Sequence, residues 1–150
     1  MKSDSERRRV AALAAMFFAG PILFAVNAKA ESRCPSPSAT QAAFETFAHR
    51  LLAEKDPRGA YTVLADADMG QRNPPFGSGR ESTIRQWETM TSLPTSHFEI
   101  LSAKVDGDVG ELRFLGELRR NGGAVEVTQH DRLRCGRIVE EWAEFHPVAK

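Results

Sequence analysis

The sequence of 150 residues has little of the material from which metal centres and covalent active sites are built. It contains 2 cysteines and 4 histidines, with no cluster of the two types at the spacing of metal ligands. It also has no nucleophile elbow, no phosphate-binding glycine loop and no metal-binding pair of histidines. We therefore predict neither a metal ion nor another cofactor.

An excess of charge of either sign is also absent. The chain has 20 basic and 20 acidic residues, and without residues 1–30 it keeps 15 basic and 18 acidic ones. Proteins bind nucleic acid mainly through basic contacts to phosphates, so this mildly acidic balance predicts that nucleic acid is not a partner. The 120 residues that follow residue 30 suit one domain of ordinary size.

The long hydrophobic run of the sequence lies at its N-terminus. Three arginines at 7–9 precede the apolar residues 10–26, and the stretch closes on an Ala-Lys-Ala sequence ending at Ala30. This order predicts a signal peptide over residues 1–30, cleaved near Ala30, and hence an exported, periplasmic or secreted protein. An uncleaved anchor is the alternative, but Gly20 and a proline interrupt a run shorter than the roughly 20 residues that span a membrane. We expect no stable membrane anchor, and both the general and the twin-arginine export routes stay open.

The two cysteines lie far apart in the sequence, at Cys34 and Cys135. In an exported protein such a pair predicts one disulfide, which would join the mature N-terminus to the last hairpin. The alternative is two free thiols.

The first half of the domain has helical periodicity. Residues 31–37 form a linker whose prolines predict that no helix begins before Ser38, and the domain covers 38–150. Ser38 and Gln41 have the order of a capping box. The spacing of apolar residues predicts three helices: one ending before Asp56, a short one carrying Tyr61 and Leu64, and one over 80–93. Residues 66–82 between the last two are rich in glycine and proline and are predicted as a loop or a short strand edge.

The second half has the period of β-strands. The turn sequences Asp-Gly, Asn-Gly-Gly and Cys-Gly separate four strand-like segments, at residues 96–105, 108–119, 124–134 and 137–146. Helices followed by a meander of strands predict an α+β domain, with the three helices packed on one face of a curved antiparallel sheet.

Two of these strands carry polar residues on their apolar faces. Alternation places Gln129 and Asp131 on one face with Val127, and Glu141 on one face with Ala143. Buried carboxylates are normally paired, protonated or placed in a cavity. We interpret this face as the lining of a pocket in which Asp131 and Glu141 transfer protons. Pairing of either acid with Arg72 or Arg113 is the open alternative.

Two motifs resemble the SnoaL-like polyketide cyclase family of the nuclear transport factor 2-like superfamily. The first, "GQRNPPFGSGRES" from Gly70, is similar to the family's Gln-His-Asn-Pro followed by a loop and a basic residue. The second, "RLRCGRIVEEW" from Arg132, is similar to its Arg-Leu-x-Asp-Gly-Lys-Ile-Val-Glu-His-Trp ending. The resemblance covers residues 40–148 and implies a cone-shaped α+β barrel around a largely apolar pocket.

The sequence departs from this family at the residues that carry its chemistry. Gln129 stands at the position of the family's catalytic aspartate, Arg72 replaces a histidine, and Glu141 replaces the histidine before the tryptophan. An amide cannot act as a general base, so the cyclase mechanism is not expected to carry over intact.

We therefore expect a protein that binds a small, largely apolar molecule. Asp131 and Glu141 are the candidate catalytic residues of a lyase, isomerase or aldol cyclase, and the candidate ligand contacts are Arg72, Trp87, Gln129 and Tyr61. The alternative is a module without catalysis, which binds a ligand or forms a homodimer through the sheet.

Overall fold

The computed structural model describes residues 34–118 and 123–148. The predicted signal peptide and residues 31–33 of the predicted linker lie outside these ranges. The described chain contains three helices, α1 to α3, at Pro37–Ala48, Pro57–Leu64 and Arg80–Thr91. A π-helical turn over His49–Ala53 extends α1, and a short 3₁₀ turn over Pro74–Phe76 precedes α3. Five strands, β1 to β5, cover Ala65–Gln71, His97–Asp106, Val109–Glu117, Val125–Arg134 and Arg137–Pro147.

The five strands form one sheet in the order β1-β5-β4-β3-β2. Strands β2 to β5 are antiparallel neighbours, as predicted, but β1 pairs in parallel with β5. The sheet is therefore mixed, and the prediction of a purely antiparallel sheet is wrong for this edge. Strand β1 lies in the stretch predicted as a loop or a short strand edge, and the structure shows the strand edge. Ala65, Ala67 and Met69 alternate with acidic residues and glycine, a weak strand signal because alanine, aspartate and glycine are depleted in strands.

The first helix begins earlier than its sequence predicts. Ser36 is the N-cap, and its hydroxyl accepts a hydrogen bond of 3.2 Å from the backbone N–H of Ala39. Pro37 is the first helical residue, a position where proline is tolerated because its missing N–H has no partner within the helix. The predicted start at Ser38 and the placement of Pro37 in a linker are therefore wrong by one residue.

The helices pack on one face of the sheet. Phe44 and Phe47 of α1 are buried, and their rings stack with centroids 5.8 Å apart. The Phe44 ring lies directly over Gly110 of β3, where a Cβ atom would come within 2.5 Å of the ring. Only glycine fits under this ring, so Gly110 allows α1 to approach the sheet closely.

The free edge of strand β2 is partly covered by a side chain of α1. The Gln41 amide nitrogen donates to the carbonyl of Ala103 at 3.0 Å, and its amide oxygen accepts from the N–H of Val105 at 2.7 Å. This side chain occupies the hydrogen-bonding positions that a further strand would use. Gln41 therefore does not close the predicted capping box with Ser38; its side chain forms hydrogen bonds with the edge of the sheet instead.

Cys34 and Cys135 form a disulfide with their Cα atoms 4.5 Å apart, as predicted. It joins the segment before α1 to the turn between β4 and β5. None of the helices within the described ranges has the length and apolar character needed to cross a bilayer.

Candidate acid/base site in an apolar cavity

The two candidate acids lie opposite each other on neighbouring strands. Asp131 of β4 is in register with Glu141 of β5, and Glu141 is in turn in register with Gln71 of β1. On the other side, Asp131 is in register with Gly110, the residue that lies under the Phe44 ring. These four residues form one row across strands β1, β5, β4 and β3.

An irregularity in β5 places Ile138 on the same buried face as Glu141. The pairing of β4 with β5 shifts between Arg132 and Leu133, so that Arg132 pairs with Glu140 and Leu133 pairs with Ile138. Val139 is the extra residue of this bulge. As a result Ile138 and Glu141 are both buried, although strict alternation places them on opposite faces. Regular alternation along β5 predicts that Ile138 faces away from Glu141, and this prediction is wrong because of the bulge.

Glu141 is 1 % exposed and accepts three hydrogen bonds from neutral donors. The Tyr61 hydroxyl donates to Oε2 at 2.6 Å, the Gln71 amide to Oε1 at 2.8 Å, and the Gln129 amide to Oε2 at 3.3 Å. Three donors around one carboxyl stabilise its ionised form.

Asp131 is buried more completely and has fewer partners. Its Oδ2 accepts from the Gln129 amide at 2.9 Å, while its Oδ1 is buried and has no hydrogen-bond partner among the described residues. The exposed side chains of Arg72 and Arg113 pair with Glu140 and Glu126 instead. The alternative in which these arginines neutralise the buried acids is therefore wrong.

Burial raises the pKa of both acids. For Asp131 the pKa is well above its usual range, because desolvation and the neighbouring Glu141 charge both favour the protonated form. For Glu141 burial also raises the pKa, but hydrogen bonds from Tyr61 and Gln71 oppose that shift. Burial and the two carboxylates raise the Tyr61 pKa well above its ordinary value, so Tyr61 stays a hydrogen-bond donor. The two carboxyl groups therefore titrate as a pair, and burial together with the Glu141 charge favours the protonated form of Asp131.

A cavity of about 370 Å³ opens beside this pair. Most of its lining is apolar, with aromatic rings from Phe76, Trp87, Phe98, Phe114 and Phe145. Its polar lining consists of Asn73, Gln129 and Glu141. A volume of this size suits a small organic molecule.

The predicted catalytic residues and ligand contacts divide into three groups by position. Trp87 and Gln129 line the cavity together with Glu141. Tyr61 and Asp131 are not in the lining; they lie behind Glu141 and Gln129, which they contact through hydrogen bonds. Arg72 is exposed on the other face of the sheet, with its guanidinium carbon 5.4 Å from the centre of the Trp142 ring. Arg72 is therefore wrong as a ligand contact.

Gln71 and Asn73 belong to the site although the prediction did not include them. The Asn73 amide oxygen accepts from the N–H of Ala143 at 3.0 Å, and the Gln71 amide oxygen accepts from the N–H of Asn73 at 2.9 Å. Both residues alternate with Arg72 in the "GQRN" motif. Had this motif been interpreted as a strand end, the period of two would have placed them on the inner face, opposite Arg72.

Comparisons with known proteins identify the fold. No model of a known protein family matches the sequence, and no curated protein matches it either. Among solved structures, TsrD from Streptomyces laurentii is 18% identical and aligns with a TM-score of 0.60, covering 74% of this chain and 90% of TsrD. An NTF2-like protein of unknown function from Mesorhizobium loti is 20% identical, with a TM-score of 0.60 over 78% of this chain and 98% of that protein. An LEH-like epoxide hydrolase from M. tuberculosis is 20% identical, with a TM-score of 0.54 over 74% and 85% of the two chains.

The fold and the site together define an α+β cone protein with a buried carboxyl pair beside an apolar cavity. Its fold is that of the nuclear transport factor 2-like superfamily. The resemblance to SnoaL-like proteins is thus confirmed for the fold, including the cone and the three helices on the sheet.

Asp131→Asn is expected to stabilise the protein at alkaline pH. Folding raises the pKa of Asp131, so its protonated form contributes stability below the unfolded pKa, and this contribution is lost as the pH rises through the folded pKa. Asparagine matches the neutral acid in shape and does not ionise. We expect the free energy of unfolding to rise above that of the wild type at pH 8, with little change at pH 4.

Urea unfolding at both pH values measures this effect. Asp68→Asn, at an exposed position of β1, is the matched control and should change neither value. An Asp131→Asn variant that is less stable than the wild type at pH 8 would contradict a raised pKa for Asp131.

Proposed function

We propose that this protein binds a small, largely apolar molecule in the cavity and transfers a proton to or from it through Glu141. The observation that carries the proposal is Glu141 itself: a carboxyl group 1 % exposed, hydrogen-bonded from three sides, that still lines a cavity of about 370 Å³. A desolvated carboxylate is a stronger base than one in water, because burial raises its pKa toward neutrality.

The neighbours of Glu141 support this role. Tyr61 and Gln71 fix the orientation of the carboxylate, and Gln129 joins it to Asp131. Asp131 supplies a second proton-binding group without contacting the ligand. The Asn73 side chain, anchored to the backbone of Ala143, lines the same cavity and can bind a polar group of the ligand. These features suit a lyase, an isomerase or a cyclase that moves a proton on a small organic molecule.

The known structures add support at the level of the fold. The epoxide hydrolase of M. tuberculosis is an enzyme with this fold that, by its name, acts on an epoxide. Export to the periplasm or medium remains part of the proposal, and the disulfide is compatible with an oxidising compartment.

Binding of an uncharged apolar dye tests the cavity. The fluorescence of 1-N-phenylnaphthylamine rises in an apolar environment, so the wild type should enhance it in a saturable manner. Val127→Trp places a large ring in the cavity lining and should weaken binding by about tenfold or more. Leu101→Trp is the matched control, because Leu101 is 42% exposed on β2 and does not line the cavity.

Circular dichroism should show that both variants fold. If the dye bound equally well to the Val127→Trp variant and to the wild type, it would occupy another surface. This result would contradict ligand binding in the cavity. If the wild type did not bind the dye at all, the proposal of an apolar ligand would fail.

A further inference from the structure

The charge of the cavity lining is negative. Glu141 is the ionisable residue of the lining, and no lysine, arginine or histidine stands among the described residues that line it. Within the described chain, neither Asp131 nor Glu141 makes an ion pair, although eleven ion pairs involve other residues. A buried carboxylate without a counter-ion is costly, so a cation at this place would be strongly favoured.

Glu141 retains the capacity for one more partner. An ionised carboxylate has about four lone-pair sites. Three of these accept from Tyr61, Gln71 and Gln129, and all three donors are neutral. One site is therefore left for a donor of the ligand, and a charged N–H donor forms a hydrogen bond about twice as strong as a neutral one.

The aromatic lining also favours a positively charged ligand. Trp87 lies at the centre of a cluster, with its ring centroid 6.2 Å from Phe76, 6.1 Å from Phe98 and 6.0 Å from Phe114. Faces of aromatic rings attract cations, and tryptophan does so most strongly. The same rings provide apolar surface for the hydrocarbon part of a ligand.

We propose that the molecule bound in this cavity is an apolar amine, whose ammonium group contacts Glu141 while its hydrocarbon part packs among the aromatic rings. This inference deepens the proposed function, since it rests on the same cavity and adds the chemical class of the ligand. It also predicts what the cavity rejects, because a ligand carboxylate would face Glu141 without a compensating cation.

Three matched naphthalene compounds test this selectivity. 1-Naphthylmethylamine, 1-naphthalenemethanol and 1-naphthoic acid have the same ring system and differ in the charge of one substituent. Isothermal titration at pH 7.5 and displacement of bound 1-N-phenylnaphthylamine give their affinities for the wild type. We expect the amine to bind about tenfold or more tightly than the alcohol, and the acid to bind more weakly than both.

Two variants test whether the preference for the amine depends on the Glu141 carboxylate. Glu141→Gln should remove the difference between amine and alcohol while the alcohol still binds. Glu140→Gln is the control, because Glu140 precedes Glu141 on β5 but pairs with the exposed side chains of Arg72 and Arg132. It should leave the preference unchanged, which would exclude a general effect of the protein's surface charge.

Each outcome decides the inference. An amine that binds no more tightly than the alcohol overturns it, and so does a preference that persists in the Glu141→Gln variant. If the dye binds but neither the amine nor the alcohol displaces it, the amine inference falls and the apolar cavity stands. If the dye also fails to bind, the inference and the proposed function fall together.

Discussion

Replacing Glu141 with glutamine is expected to lower kcat/KM for the elimination of 5-nitrobenzisoxazole by about 100-fold or more. This uncharged, apolar compound fits the size of the cavity, and its reaction needs only a base. The base removes the proton at C3, the C–H electrons form a nitrile, and the N–O bond breaks to give a coloured phenolate. In the wild type we expect saturable acceleration, because Glu141 lines the cavity as a desolvated carboxylate.

The pH dependence of this reaction identifies the base. Glu141 is active when ionised, so kcat/KM should rise with pH through its raised pKa and level off above it. The titratable groups that face it are Tyr61 and Asp131, whose pKa values are both raised well above their usual ranges. Glu140→Gln is the matched control and should retain the wild-type rate. Undiminished acceleration in the Glu141→Gln variant would remove Glu141 from the mechanism.

Removing the disulfide should cause a large loss in the free energy of unfolding. Cys34 and Cys135 are 101 residues apart in sequence, and a cross-link that closes a loop of about 100 residues is worth about 4 to 5 kcal/mol in the chain-entropy account. We expect the double variant Cys34→Ser and Cys135→Ser to lose about 3 to 5 kcal/mol in the free energy of unfolding. The folded state should persist, since the core contacts of Phe44 and Phe47 do not depend on the bond.

Urea unfolding with and without a phosphine reductant measures this loss. The reductant should lower the midpoint of the wild type toward that of the double variant and leave the double variant unchanged. Equal midpoints for the oxidised wild type and the double variant would show that the bond contributes nothing. Packing also holds the two segments together, because a Cβ on Gly136 would come within 2.9 Å of Pro35.

Much of this architecture follows from the periodicity of the sequence. The four strands of the meander are separated by turns whose glycines have positive φ, at Gly107, Gly123 and Gly136, so their sequences determine where each strand ends. The α1 and α3 helices likewise follow from apolar spacing. Such signals are local, and local signals predict elements well.

The errors lie where tertiary contacts override local pattern. Strand β1 forms because β5 offers a free edge, and this partner is about 70 residues away in the sequence. The bulge at Val139 changes which residues of β5 are buried, and a single sequence does not reveal it. Prediction therefore found Gln129, Asp131 and Glu141, which depend on regular alternation, and missed Gln71, which depends on β1.

The Gln41 side chain also has a consequence for behaviour at high concentration. Open strand edges allow copies of a protein to join into a continuous sheet, which leads to aggregation. By occupying the carbonyl of Ala103 and the N–H of Val105, Gln41 denies these two positions to a neighbouring molecule. Gln41 does not line the cavity, and its effect is on aggregation: it lowers the tendency of copies of the protein to join through the edge of β2.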